Sequence, residues 1–540
     1  MSTPGDPTRN DSAGRPELSA DPLRGRRAFP LAVIELGTSA IRMAIGESDG
    51  GSEVRVLEQL VRGVSLGKDT FTVGEIQRKT LQECIRVLKS YRRKLREYQF
   101  SDARYIRVVA TSAVREAVNR LDVLDRIYIA TGLAVELIDD AEIARLTYLG
   151  VRPLLQEDVV RENAATLVVE VGGGNTEVLV LRGKNIMHAQ PWRLGSLRLQ
   201  QLLLQSEASR RDSETLLTGQ IDRTLEPLVE LIPRDRPPQI VSLGGDMRLA
   251  ARLMNLDPRN AGFTRVPARE LRRLTERILP MPVDAVMHKY HIELSQAETL
   301  VPALLSNLRL AELLRVEYLL VTGFNIRDAL LQGMLRPNDW SADFREQIVN
   351  SALELARKYQ VDLPHALHVA EFARRLFAAL QSEHRMDARC ETLLYTAALL
   401  HTTGLFVGLS GYHKHSYYLI MNSELFGLNS LDHQLVALIA RYHRRAAPKP
   451  THEYFARLDR DSRVIVSRLA AILRVAVALD TSGTQRIGSI DCTLERNRLV
   501  LTATRAAGDL SLERMELRQK AGLFEDTFGM GVLLREPNGR

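Results

Sequence analysis

Short apolar runs that end at glycine are the main pattern in the first third of the chain. Residues 31–36 (LAVIEL) form such a run before Gly37, and a run of this length predicts a buried strand. Residues 73–98 place their apolar side chains at a helical spacing instead. Strands that alternate with helices are typical of an α/β domain. Further strands are predicted at residues 41–46, 53–61, 106–110 and 135–138, and further helices after Asn119 and from Ala141.

The opening pattern occurs a second time. Residues 166–171 (TLVVEV) again carry an acidic residue near the end of an apolar run and lead into a glycine turn. Glu35-x-Gly37 and Glu170-x-Gly172 therefore occupy equivalent places in two similar hairpins. An internal duplication of this kind predicts two like lobes that face each other across a cleft.

A third glycine turn follows the second hairpin. Residues 239–243 read as a strand, Gly244 and Gly245 as the turn, and residues 247–253 as the helix that the turn opens. The pattern changes near residues 336–339, after which residues 344–480 are almost entirely helical. Residues 492–534 alternate short strands with polar turns, which predicts a small β appendage.

The predicted organisation has five parts. They are a disordered tail at residues 1–29, a first lobe at 30–150, a second lobe at 151–338, a helical domain at 339–488 and the β appendage at 489–540.

Composition excludes several classes of protein. The 540 residues carry 73 Lys+Arg and 66 Asp+Glu, a net charge of +7, and 45% of them are hydrophobic. These globular values exclude a wholly disordered or collagen-like chain. The small positive surplus favours anionic partners but does not indicate a specific nucleic acid.

Cysteine usage and hydropathy indicate the compartment. Cys84, Cys390 and Cys492 form no close pair, so neither a disulfide framework nor a cysteine-rich metal site is expected. No apolar run approaches the roughly 18 residues that span a membrane, and residues 1–28 lack the apolar core of a signal peptide. We expect a cytoplasmic protein with no membrane partner.

The glycine turns suit phosphate chemistry. A turn at the end of a strand leaves backbone N–H groups pointing one way, and glycine lets a bulky anion approach them. Hydroxyl groups add donors, and a carboxylate at the end of the strand can hold Mg²⁺. Glu35 and Glu170 are the candidate metal ligands. The candidate phosphate-binding residues are Gly37, Thr38, Ser39, Gly172, Gly173, Gly174, Asn175, Thr176, Gly244 and Gly245.

Several motifs, in order, resemble one known family. They are IELGTSAIRMAIGE at residues 34–47, VATSAVREAVN at 109–119, VVEVGGGNTEVLVL at 168–181, LGSLRL at 194–199 and VSLGGDMRLAA at 241–251. The resemblance is to the exopolyphosphatase / guanosine pentaphosphate phosphohydrolase (Ppx/GppA) family in its long form. YTAALLHTTG, YHKHSYYLI, ARYHRR and ILRVAVALD extend it into the helical region.

The resemblance implies a fold and an activity. The fold is α/β, with two actin-like/sugar-kinase-type (ribonuclease H-like) lobes, then an all-α HD-like domain and the β appendage. The activity is Mg²⁺-dependent removal of terminal phosphate from inorganic polyphosphate or guanosine pentaphosphate. It also suggests a homodimer through the C-terminal domains.

The resemblance assigns two candidate catalytic residues. Arg115 matches the arginine of the family's TSxxR motif, and a guanidinium can hold phosphate oxygens in bidentate fashion. Glu177 matches the acidic residue after the second loop, where it would hold Mg²⁺ or orient water. The chain departs from the family at Glu35 and Glu170, where aspartate is usual, and at Asn175, where serine is usual.

A sharper departure concerns the general base. The family's proposed base, the glutamate directly before Ala-Arg, is replaced here by Ile143. General-base catalysis contributes roughly 10²–10⁴-fold, so three interpretations stay open. Glu142 takes over as a third candidate catalytic residue, Asp139 or Asp140 supplies the base, or the protein binds its anion as a sensor without efficient hydrolysis. A kinase-like use of the same fold is a further rival that rests on analogy alone.

The helical domain departs from a working HD hydrolase as well. Such an enzyme uses an adjacent His-Asp pair as metal ligands, and this chain has His401-Thr402. His365 or His368, His401, His443 and Asp480 remain as candidate ligands, although a structural or regulatory domain is the simpler interpretation. A basic channel for a long polyanion is predicted from His413, Lys414, His415, Arg441, Arg444 and Arg445.

Overall fold

The computed structural model describes residues 28–49, 53–100, 103–156, 161, 164–206, 210–233, 235–258, 262–335 and 340–536. The predicted tail therefore lies almost wholly outside the described residues. The strands are β1 (Phe29–Leu36), β2 (Ala40–Ser48), β3 (Val54–Gly63), β4 (Ile106–Ala110), β5 (Val135–Leu137), β6 (Ala165–Val171), β7 (Thr176–Arg182), β8 (Asn185–Trp192), β9 (Gln239–Leu243), β10 (Thr264–Pro267), β11 (Tyr318–Val321), β12 (Ile487–Glu495), β13 (Arg498–Ala506) and β14 (Gly531–Arg535).

Helices connect and cover these strands. Those before the helical region are α1 (Leu66–Val73), α2 (Arg78–Glu97), α3 (Ser112–Arg115), α4 (Arg120–Thr131), α5 (Asp140–Val151), α6 (Ser196–Ser206), α7 (Arg210–Glu230), α8 (Gly245–Leu253), α9 (Ala268–Ile278), α10 (Val283–Tyr290), α11 (Leu294–Leu313) and α12 (Ile326–Leu335). Those that follow are α13 (Ala342–Lys358), α14 (Leu363–Ala379), α15 (Gln381–His384), α16 (Ala388–Leu400), α17 (Tyr412–Met421), α18 (Ser430–Arg441), α19 (Glu453–Ala456), α20 (Arg460–Ala478), α21 (Ser511–Lys520) and α22 (Gly522–Phe528).

The two large sheets have the same strand order. The first runs β3-β2-β1-β4-β5, and the second runs β8-β7-β6-β9-β11 with β10 added at its edge. In both, the first strand pairs antiparallel with the second and parallel with the fourth. Glu35 pairs with Arg42 across the first hairpin, as Glu170 pairs with Glu177 across the second. The predicted duplication is therefore present strand by strand.

Two helices cross between the lobes. The helix α5 follows the first sheet in the chain but packs against β7 and β8 of the second, while α12 follows the second sheet and packs against β1 and β2 of the first. The two helices also pack against each other. Buried residues of both sheets and both helices consequently share one hydrophobic core with the helical region.

The helical region and the C-terminal segment form the remaining layers. Residues 342–478 fold into α13–α20, as the sequence predicts, and β12, β13 and β14 form a three-stranded sheet. The expectation of short strands and polar turns throughout 492–534 is wrong at α21 and α22. These helices pack against α20 and bury Leu517, Leu523 and Phe524, so tertiary contact stabilises a segment with a weak local pattern. None of the helices in the described part of the chain is long and apolar enough to cross a membrane.

Candidate active site

The two glycine turns meet in one cleft between the lobes. The Gly37 amide donates to the Ala40 carbonyl at 3.1 Å, and the Gly172 amide donates to the Asn175 carbonyl at 2.9 Å, so the two turns close in the same way. A Cβ added at Gly173 would lie 2.7 Å from Thr38 Cγ2. The turns are therefore in direct contact, and glycine is needed at this approach.

Four amides at the tips of these turns are free for a ligand. Within the described residues, the amides of Thr38, Ser39, Gly173 and Gly174 donate to no backbone carbonyl. Unpaired amides in successive turn residues form a nest for anions. The two turns together can therefore hold a phosphoryl group from both sides.

Most of the predicted site residues line the cleft. The cleft is lined, among others, by Glu35, Gly37, Thr38, Ser39, Glu170, Gly172, Gly173, Gly174, Asn175, Glu177, Gly244 and Gly245. Arg115, Glu142 and Thr176 are not among its lining residues. The Thr176 hydroxyl is buried and donates to the Leu194 carbonyl, so it fixes the hairpin instead of facing the cleft.

The third glycine turn completes one wall. Gly244 has φ +99° and ψ 162°, a conformation that essentially only glycine adopts. A Cβ added there would lie 3.7 Å from Glu170 Oε1, which places the third turn beside the carboxylate of the second hairpin. Helix α8 then starts at Gly245 with its N-terminus at the cleft.

Glu35 is held by arginines. Its carboxylate pairs with Arg327, which comes from α12, and lies 3.9 Å from Arg42 Nη1. Burial alone would raise the pKa of Glu35, but the charges of Arg327 and Arg42 outweigh it and hold the pKa below its usual value. Glu35, the candidate metal ligand of the first hairpin, is thus already paired with a guanidinium group.

The carboxyl groups on the second-lobe side of the cleft have raised pKa values, in contrast to Glu35. Burial raises the pKa of Glu170, and the nearby charge of Glu35 adds to the effect. Burial, with Asp140 and Glu170, raises the pKa of Glu177 to about 8. Burial also raises the pKa of Asp246 to about 6. This wall therefore favours a proton or a cation.

Three arginines that line the cleft were not predicted from the sequence. Arg42, Arg248 and Arg327 line the same cavity as the glycine turns. Arg248 donates to the Phe324 carbonyl at 3.0 Å, and burial lowers its pKa. Arg42 had a usable signal, because it follows Glu35 at the spacing at which Glu177 follows Glu170.

Arg198 and Gly195 fix the second glycine turn. Arg198 donates to the Gly174 carbonyl at 2.6 Å and pairs with Glu116 of the first lobe at 2.5 Å. Its guanidinium lies 3.9 Å from the centre of the Phe71 ring. A Cβ at Gly195 would lie 2.2 Å from the Gly173 carbonyl oxygen. The motif LGSLRL thus acts by shaping the loop.

Arg115 and Glu142 lie beside the cleft. Arg115 donates to the Ile138 carbonyl at 2.8 Å and pairs with Asp140, which itself lines the cleft. Glu142 accepts two hydrogen bonds from Arg145, at 2.7 and 2.8 Å. Ile143, one residue on, lines the cleft and is 8% exposed. The structure therefore presents isoleucine, and not Glu142, to the site.

The donor set suits Mg²⁺ that is shared with a phosphate. Mg²⁺ typically takes one or two carboxylates, and substrate oxygens and waters complete its shell. Glu170 and Glu177 line the cleft with raised pKa values, and the buried Asn175 Oδ1 has no hydrogen-bond partner within the described residues. Across the described ranges, no group of three or more His, Cys, Asp or Glu side chains could hold a metal ion alone.

The histidines of the helical region also come together. His365 Nδ1 lies 2.7 Å from Asp480 Oδ2, and the His401 ring centre lies 5.5 Å from His365 and 5.0 Å from His443. Burial, with His365, lowers the pKa of His401 to about 3, so this imidazole is neutral. His368 instead lies 2.7 Å from the Ile487 carbonyl oxygen.

Comparisons with known proteins agree with this architecture. A model of the Ppx/GppA phosphatase family matches residues 44–337, and a model of Ppx/GppA phosphatase domain III matches residues 347–521. The guanosine-5'-triphosphate,3'-diphosphate pyrophosphatase of Photobacterium profundum is 23% identical over 513 residues, 94% of this chain and 98% of that protein.

Over part of its length, the chain is similar in fold to a solved structure. An exopolyphosphatase-like protein aligns with a TM-score of 0.50 and 19% identity over 58% of this chain and 99% of its own. An exopolyphosphatase from Cytophaga hutchinsonii aligns with a TM-score of 0.49 and 22% identity over 57% of this chain and 98% of its own.

Proposed function

The chain belongs to the Ppx/GppA phosphatase family, and on that premise we propose that it removes the terminal phosphate from inorganic polyphosphate or guanosine pentaphosphate. One observation carries the proposal: two equivalent glycine turns with free amides meet in a cleft that also holds Arg42, Arg248 and Arg327. Catalysis of phosphoryl transfer is mainly positioning and stabilisation of charge. This cleft supplies donors and cations for both.

The proposed roles follow from the electrostatics of the cleft. The glycine turns and arginines hold the terminal phosphoryl group, and Glu177 takes a proton from the attacking water. A carboxylate with a pKa of about 8 is a stronger base than an ordinary glutamate. Glu170, with Asn175, would hold Mg²⁺, which supplies charge neutralisation at the phosphate when bound. Arg115 fixes Asp140 beside Glu177.

A second candidate function is a sensor that binds the same anions without efficient hydrolysis. Two observations favour it: Ile143 occupies the position that the family resemblance assigns to the general base, and Glu142 is paired with Arg145. An isoleucine cannot accept a proton, so water activation in this protein rests on Glu177 or Asp140.

Orthophosphate release separates the two functions. Purified full-length protein with Mg²⁺ is offered long-chain polyphosphate and guanosine pentaphosphate in parallel, and thermal stabilisation by each ligand is measured beside turnover. Turnover on either supports the phosphohydrolase and identifies the substrate. Stabilisation without turnover supports the sensor. The absence of both turnover and stabilisation would contradict both proposals.

A glycine pair provides the matched control. Gly173→Ala drives a methyl group against Thr38 and should abolish both turnover and ligand stabilisation. Gly219→Ala adds the same methyl group where nothing lies within 4 Å. The control should behave like the unmodified protein.

A further inference from the structure

A second cavity lies between the second lobe and the helical region. It has a volume of about 310 Å³ and is lined by β8, by α13 and by residues 422–429, which join α17 to α18 and which we call the joining segment. Ligand pockets in proteins typically measure roughly 300–1,000 Å³, so a cavity of this size suits a small molecule. It shares no lining residue with the catalytic cleft.

Hydrogen bonds hold the three walls of this cavity together. The Ile186 amide of β8 donates to Gln347 Oε1 of α13 at 3.1 Å. The Phe426 amide of the joining segment donates to Ser351 Oγ of α13 at 3.0 Å. The cavity is therefore a fixed feature of the fold and needs no rearrangement to receive a ligand.

Two opposite charges line the cavity without forming an ion pair. The charge of Lys358 acts on Glu424, but neither group forms an ion pair with any residue that the structure describes. Glu354 also lines the cavity, but its carboxylate is paired with Arg357. Burial, together with the charge of Lys358, lowers the pKa of His188, so this ring is neutral. One ammonium group and one carboxylate group are thus left for a ligand.

Apolar side chains supply the rest of the wall. Ile186, Met187, Leu355 and Phe426 line the cavity beside the two charged groups. Burial of an aliphatic group against such a wall is favourable. The lining therefore combines a cation, an anion and an apolar surface.

We propose that this cavity binds a free amino acid with an aliphatic side chain, whose carboxylate contacts Lys358 and whose ammonium group contacts Glu424. A ligand with both charges gives each unpaired group a partner through charge-assisted hydrogen bonds. A phosphate ester would bring several negative charges to a cavity with one free cation. A metal ion would find one free carboxylate, fewer protein oxygens than such ions usually take.

The joining segment connects this cavity to α5. The ring centre of Phe426 lies 5.6 Å from that of Tyr148, which belongs to α5. The charge of Glu424 also acts on Asp140, the first residue of α5, which lines the catalytic cleft. Occupancy of the cavity should therefore be felt along α5.

Calorimetric titration of the full-length protein with leucine tests the proposed ligand class. At pH 8 the carboxyl group of Glu424, with a pKa of about 7, is mostly ionised. Leucine should bind, whereas 3-methylbutylamine, which lacks the carboxylate, and 4-methylpentanoate, which lacks the ammonium group, should each bind at least tenfold more weakly. Absence of leucine binding, or equal affinity for either analogue, would overturn the proposal.

Two variants assign the charges of the ligand. Glu424→Gln and Lys358→Met should each weaken leucine binding at least tenfold. Glu424→Gln should leave the affinity for 4-methylpentanoate unchanged, and Lys358→Met should leave that for 3-methylbutylamine unchanged. A purely structural effect would not produce this crossed pattern. Leucine binding that persists in both variants would contradict the site.

Matched controls separate the site from the general effect of removing a charge. Glu354→Gln makes the same change in the same cavity, at a carboxylate that is already paired. Lys289→Met removes a lysine that lies 5.5 Å from the ring centre of Tyr290, much as Lys358 lies 5.7 Å from that of Tyr359, but outside the cavity. Both controls should bind leucine like the unmodified protein, and a tenfold loss in either would argue against the assigned contacts.

Amide exchange tests the connection to α5. Saturating leucine should increase the protection of α13 and α5 and leave that of α9, on the second lobe, unchanged. Unchanged protection of α5 would refute the connection. Neither calorimetry nor exchange depends on orthophosphate release, so failure of the proposed function would leave both results interpretable.

Discussion

Residues at equivalent positions of the duplicated hairpins have taken opposite charges. Arg42 faces Glu35 across the first hairpin, whereas Glu177 faces Glu170 across the second. Arg42 therefore neutralises the carboxylate of Glu35, whereas Glu177 adds a second carboxylate beside Glu170. This asymmetry divides the cleft into an arginine wall and a carboxylate wall, and a phosphate with its metal ion needs both.

The carboxylate wall predicts the effect of Glu177→Gln. Loss of a general base should lower turnover by about 10²–10⁴-fold, and turnover of the unmodified protein should rise as pH increases through about 8. Glu136→Gln is the matched control, because Glu136 lies outside the cleft and pairs with Arg107 at 2.9 Å. Equal turnover in both variants would exclude Glu177 as the base.

Ile143→Glu tests the missing base directly. Because Glu177 already supplies a carboxylate, we expect orthophosphate release to change by less than tenfold. An increase of 10²-fold or more would match the usual contribution of a general base. Such an increase would show that the unmodified protein lacks one and would favour the sensor.

The sequence predicts the turns of this cleft better than its charges. Glu-x-Gly and the glycine runs are local patterns, so the order of residues alone is enough to assign Gly37, Gly173 and Gly244 to the site. Arg248 had a local signal, because it lies in the helix that the third glycine turn opens. Arg327 reaches the cleft only through tertiary folding, and nothing in its neighbourhood distinguishes it from a surface arginine. The burial of Thr176 and the pairing of Glu142 with Arg145 likewise depend on how helices and strands pack.

At the scale of elements, apolar runs predict the strands of the first sheet well because a buried strand needs only a short continuous segment. In the second sheet, β8, β10 and β11 were not predicted. The lobe against which a helix packs has no such local signature. Helix α5 is buried on several sides, and nothing in its sequence shows that the helix packs against the second sheet. Helices α21 and α22 were missed for a related reason, because α20 provides the surface that stabilises them.

The third glycine turn gives a prediction at this scale. Gly244→Ala should lower the free energy of unfolding by about 1–3 kcal/mol, because alanine is strained at φ +99°. Gly219→Ala lies inside α7 and should raise it by up to about 1 kcal/mol. Urea unfolding of the two variants measures both effects. A Gly244→Ala protein as stable as the parent would argue against the conformation of this turn.

At the scale of the whole molecule, raised carboxyl pKa values tie stability to pH. A carboxyl group whose pKa is higher in the folded state stabilises the fold while it is protonated, and the contribution is lost as pH rises through the folded pKa. Glu177, with a pKa of about 8, and Glu424, with a pKa raised by burial to about 7, act in this direction. Buried histidines such as His401 act in the opposite direction, but only below pH about 6.5.

Stability without Mg²⁺ or phosphate should therefore fall between pH 6.5 and 9. Thermal unfolding across this range should show a declining Tm, and Glu177→Gln should make the decline shallower because glutamine does not titrate. A Tm that rises over the same range in the unmodified protein would contradict the electrostatics described for the carboxylate wall.

The exchange of α5 and α12 between the lobes also has a consequence for synthesis of the chain. The first sheet is covered by a helix that starts at Ile326, far beyond its own last strand at Val135–Leu137. A nascent chain that has emerged only as far as the first sheet still lacks the helix that buries it. Neither lobe can then mature ahead of the other, and the ribosome must deliver nearly the whole two-lobed region before its core closes.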